Sequence, residues 1–177
     1  MRALDRRGFI ASAAAMPWLI LSSISFASET SDCFENMTVG EYLRMFSPDV
    51  YQSLDPDFKD LLDSSPMYSK APASRASLGQ TVSISAWRAG SGAVGYNFSF
   101  SCSDWCPSLY ALVTVTNLTT NVSRSSEHWG SGLNLSSSGT LYGLGTGSCR
   151  AVVTAFSPEP PVGMSSYYSQ DWYTVTV

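Results

Sequence analysis

From Thr81 onward, apolar side chains recur at every second position, and this period constrains the fold more than any other feature of the chain. Successive side chains of a strand point to opposite faces, so alternation marks strands that bury one side. Val82, Ile84 and Ala86 alternate with Thr81, Ser83 and Ser85. Tyr96, Phe98, Phe100 and Cys102 share one face of the next run. Leu109, Ala111, Val113 and Val115 share a face of the third, with Tyr110, Leu112, Thr114 and Thr116 opposite. Leu133 and Leu135 mark a shorter strand, and Cys149, Ala151, Val153 and Ala155 alternate with Arg150, Val152, Thr154 and Phe156. A last run, Trp172 to Val177, puts Tyr173, Val175 and Val177 on one side. Clusters of Gly, Ser, Asn and Pro separate the runs. No helical segment intervenes, so residues 81–177 read as an antiparallel β-sandwich.

Upstream the period is helical. Thr38 and Glu41 fit a capping box, and Val39, Tyr42, Leu43 and Phe46 recur at helical spacing. Ser47-Pro48 and Asp55-Pro56 each place a capping residue before a proline, which loses no hydrogen bond at a helix start. Val50, Tyr51, Leu54, Phe58, Leu61 and Leu62 supply apolar faces. Helices this short need a surface to dock on. Residues 28–63 are therefore expected to form a short helical arm, and 64–80, rich in Ser, Ala and Pro, a linker.

Two resemblances add to this reading. The segment from Leu141 to Val152, with Gly143, Gly145 and Gly147 leading into Cys149-Arg150-Ala151, resembles the strand entry of bacterial immunoglobulin-like and fibronectin-III-like domains. That likeness implies an immunoglobulin-like sandwich and carries no activity. Residues 1–27 combine Arg6 and Arg7, an apolar run from Ala11 to Ile24, and Ser25-Phe26-Ala27 as a small-residue cleavage site. Asp5-Arg6-Arg7-Gly8-Phe9-Ile10 resembles the twin-arginine signal of bacteria, with a general secretory signal as the alternative. Either implies cleavage after Ala27 and a periplasmic or secreted product. Pro17 interrupts the apolar run, and about 20 apolar residues are needed to span a bilayer, so no stable membrane span is expected after cleavage.

Removing the leader leaves seven bases and thirteen acids. Nine of those acids lie in residues 29–63, facing only Arg44 and Lys59, while the β region is nearly neutral. A phosphate backbone finds no basic surface here, which disfavours nucleic acid as a partner.

Four cysteines in an exported chain imply two disulfides. If 96–102 and 109–118 form a hairpin, Cys102 and Cys106 face each other across its mouth, within the roughly 7 Å that a bridge tolerates. Cys33 then pairs with Cys149 and ties the arm to the sandwich. A Cys102–Cys149 bridge would need two strand ends most of a strand apart to meet. His128 is the sole histidine and Cys-x-x-x-Cys lacks the usual zinc spacing, so neither a metal nor another cofactor is expected.

Glu127-His128-Trp129 is the one place where neighbours could supply an acid–base pair, although 121–132 reads as an exposed polar loop. Trp105, at the expected hairpin tip, Trp129, and the pair Tyr167-Tyr168 are candidate ligand-binding aromatics. Asn36, Asn97, Asn117, Asn121 and Asn134 all lie in Asn-x-Ser/Thr sequons. The combined expectation is an exported, non-catalytic binding or structural domain with a glycan or protein ligand. The alternatives are a small secreted hydrolase using Glu127 and His128, or an accessory subunit co-exported with a larger enzyme through the arm.

Overall fold

The computed structural model describes residues 33–68, 79–162 and 168–177. Three short helices, α1 (Val39–Phe46), α2 (Pro48–Ser53) and α3 (Pro56–Ser64), precede five strands. These are β1 (Thr81–Gly90), β2 (Ala93–Asn117), β3 (Ser123–Tyr142), β4 (Ser148–Phe156) and β5 (Tyr168–Thr176). All pairings are antiparallel and join into one curled sheet of order β1-β2-β4-β5, with β3 on the other edge of β2.

The curl originates in β2. Its first half pairs with β1, its second half with β4, and β3 follows both halves. Between them the ladder to β3 slips twice, between Ser101 and Cys106 and between Cys106 and Leu109. Pro107 has no N–H to give to a ladder, and bulges bend the strand that carries them. The expected hairpin between 96–102 and 109–118 is thus one bent strand, and Trp105 sits at a bulge rather than at a tip. The segment expected as a loop around 121–132 is β3, and only residues 118–122 turn.

Bending folds the sheet over a shared core. Val94, Tyr96, Phe98 and Phe100 from the first half of β2 meet Leu109, Ala111, Val113 and Val115 from the second, with Ala151 and Val153 of β4 and Ile84 of β1. Burying the larger of these side chains contributes roughly 1.5–3 kcal/mol each. At one side β1 comes against β5, where the Ile84 backbone N–H donates to the Asp171 carboxylate at 2.9 Å.

The helices cover the opposite face of β2 and β4. Val39, Tyr42, Leu43, Val50, Leu54, Phe58 and Leu62 pack against Tyr110, Leu112, Val152, Phe156 and Tyr168. The Thr38–Glu41 capping box forms, and Asp55 caps α3 by accepting from the Asp57 N–H. The buried Tyr42 hydroxyl donates to Thr114 at 2.6 Å, fastening α1 to β2. The start of the expected linker is docked as well. Met67 is buried, its N–H donates to the Met37 carbonyl, and the Tyr68 N–H donates to the Gln170 side chain. Among the described residues no helix is long and apolar enough to cross a membrane.

Candidate binding surfaces

Glu127 and His128 are neighbours on a strand, so they face opposite ways. Glu127, opposite Leu112, projects to the helix side and accepts a hydrogen bond from the Ser47 hydroxyl. Ser47 in turn accepts from the buried Tyr110 hydroxyl at 2.6 Å. Burial pushes the Tyr110 phenol well above its ordinary value, so it stays protonated and donates. His128, opposite Ala111, turns to the other face, lies against the Tyr96 and Phe98 rings, and shares a 3.0 Å hydrogen bond with the Tyr96 hydroxyl. Burial lowers the His128 pKa and favours the neutral ring. The expected acid–base pair is therefore not assembled: the sheet separates its members, and each holds a structural contact. The solvated loop histidine is likewise corrected to a half-buried strand residue.

The expected aromatic candidates divide. Trp105 is 61 % exposed beside the bulge, and Trp129 is 53 % exposed with its ring on Tyr110 at 4.7 Å. Tyr168 is buried in the core beneath the helices, opposite Phe156 on β5, so it cannot touch a ligand there. Tyr167 lies outside the described residues, as do Arg6, Arg7 and the cleavage point after Ala27.

Cys102 and Cys106 stand on the two sides of the first ladder slip, with their side chains in hydrogen-bond contact. Burial, reinforced by Cys106, pushes the Cys102 thiol up to about 12, and burial also raises Cys149. Cys102, Cys106 and Cys149 carry no disulfide in this structure, and the raised Cys102 and Cys149 thiols, held protonated, are weak nucleophiles. The two cysteines of the expected Cys33–Cys149 tie lie in different surroundings. Cys149 faces the core between the sheet halves, whereas Cys33 is exposed and directly precedes Phe34, which packs beneath the helices. Among the described residues no three His, Cys, Asp or Glu side chains gather as a metal site.

A surface that aromatic and acid–base searches pass over lies on the outer face of β1, the first half of β2 and the second half of β3. Cross-strand register aligns Ser83 with Ser99 and Ser136, and Ser85 with Asn97 and Ser138. The Ser136 hydroxyl donates to Ser99 at 3.1 Å, and Ser85 donates to the Asn97 side-chain oxygen. Ser83, Asn97, Ser99, Ser136 and Ser138 border an open trough of about 520 Å³. The next row pairs Trp87 with Gly95, and a Cβ on Gly95 would lie 2.3 Å from the Trp87 ring. The indole therefore lies across the neighbouring strand, in space that Gly95 leaves open. Alternation itself was the available signal, because the polar half of each pair defines this face.

The sequons also divide by environment. Asn97 and Asn134 are exposed, whereas Asn117 is wholly buried with its amide engaged. No protein-family model, curated protein or solved structure matches the chain.

Proposed function

We propose that this is an exported, non-catalytic binding or structural domain, with an immunoglobulin-like layered scaffold and a glycan or protein ligand. One observation carries the reading. The acid and base that adjoin in sequence are held on opposite faces of β3, engaged with Ser47 and Tyr96. What remains accessible is contact surface: half-exposed tryptophans on a rigid sheet, the amphipathic and low-entropy groups that interfaces favour. The arm's apolar side is occupied by its own sheet, which leaves its acidic outer side for any co-exported enzyme.

The purified mature protein should bind a member of a glycan or extracellular-protein array while turning over none of a chromogenic hydrolase panel. Turnover that disappears in both Glu127→Gln and His128→Gln variants would overturn the proposal in favour of a hydrolase. Export is tested separately. An Arg6→Lys/Arg7→Lys variant should keep its leader and remain in the cytoplasm of a bacterial host, and the wild-type chain should begin at Ser28. Unimpaired export of the variant would point to the general secretory route.

A further inference from the structure

We propose that the outer face of β1, the first half of β2 and the second half of β3 binds an uncharged, hydroxyl-rich glycan chain, with Trp87 as its stacking platform. This rests on the non-catalytic binding reading and assigns it a ligand class and a surface.

Charge is the first argument. Exposed strand faces ordinarily carry Lys and Glu, and a typical surface is roughly 25–35 % charged. The rows Ser83–Ser99–Ser136, Ser85–Asn97–Ser138 and Trp87–Gly95–Thr140 hold no charged side chain. A polyanion or a charged peptide finds no counter-charge among them, whereas the hydroxyls and amide can donate to and accept from sugar hydroxyls.

Shape is the second. Serine and glycine keep the pavement low, so a chain can approach the sheet closely. Three strands spaced about 4.8 Å apart give a width of about 10 Å, the scale of a disaccharide. The trough at the middle of the pavement is open rather than enclosed, which suits an extended polymer better than a compact small molecule.

The platform is the third. Trp87 is 45 % exposed although it lies against the sheet, so its position above Gly95 leaves indole surface open at the end of the pavement. A sugar's C–H face can stack there while its hydroxyls reach the serine rows. The helical layer covers the other half of the sheet, and among the described residues no element packs over this face.

The test is affinity electrophoresis of the mature chain in native gels containing hydroxyethyl cellulose, xylan, laminarin or soluble starch. At least one polymer should retard it, equally at about 50 and about 500 mM salt, because no ion pair is involved. Trp87→Ala should weaken retardation about tenfold. Ser99→Arg, exposed at the centre of the pavement, should abolish it without changing thermal stability, which covers a folding failure of the first variant. Trp105→Ala/Trp129→Ala reports whether the ligand sits on that second aromatic surface instead. No retardation in any gel overturns the assignment, and so does retardation that only the Trp105/Trp129 variant loses, which would move the ligand to that surface. Reducing ends released during retained binding would refute the non-catalytic reading and leave this face standing.

Discussion

Asn117 is fully buried, and its amide joins two turns. Its side-chain N–H groups donate to the Leu144 and Thr146 carbonyls at 2.9 and 3.1 Å, while its oxygen accepts from the Thr119 and Thr120 N–H groups at 2.9 and 3.1 Å. Asn117→Asp keeps the shape but loses both donors and turns a carboxylate toward two carbonyls. Leaving buried acceptors unpaired costs about 1–3 kcal/mol, so this variant should unfold at lower denaturant concentration, and an unchanged midpoint would contradict the role. The same burial predicts that a eukaryotic host will leave Asn117 unglycosylated, which peptide mapping can read. His128 bears on pH. Its folded pKa lies below the ordinary value of about 6.5, so the unfolded chain takes up a proton that the folded chain resists. Stability is therefore full above that value and declines as pH falls through it. His128→Gln should narrow the gap in melting temperature between about pH 7.5 and about pH 5, and an equal gap in both proteins would rule the effect out. At this scale the sequence showed residue types without partners: Asn117 read as one sequon among five, and His128 as a loop residue.

Elements were far more legible. The face assignments for 81–86, 96–102, 109–116 and 149–156 hold residue by residue, because burial on one side imposes alternation whatever the topology. Helix starts were legible for a similar local reason, since capping and proline geometry involve residues within a single turn. Of the strand at 123–142 only the stretch around Leu133 and Leu135 was legible, because Ser and Gly also fill core-facing positions, with Ser126 opposite Val113, Ser137 opposite Phe98 and Gly139 opposite Tyr96, and this erases the alternation. Docking of α1 on β2 makes a quantitative prediction. Tyr42→Phe should destabilise by about 1–3 kcal/mol by depriving a buried hydroxyl of its partner, while adding Thr114→Val should recover much of the loss. A double variant as damaged as the sum of its singles would show that this hydrogen bond does not couple helix to sheet.

At the scale of the whole molecule, the helices form a layer. Removing the residues before Gly79 would expose Tyr110, Leu112, Val152, Phe156 and Tyr168, an apolar patch of the kind that drives aggregation. A chain beginning at Gly79 should bind a hydrophobic dye or precipitate; cooperative unfolding at the full-length temperature would show the sheet to be independent. Taken alone, the sequence determined which residues turn inward and where helices begin, because both depend on neighbours within a few positions. Only the tertiary structure decided that Cys102 and Leu109 belong to one bent strand, that Glu127 and His128 part company, and that the described helices cover one half of the sheet and not its serine-rich face. Those outcomes depend on which distant segments pair across the bend near Pro107, and no local pattern carries that information.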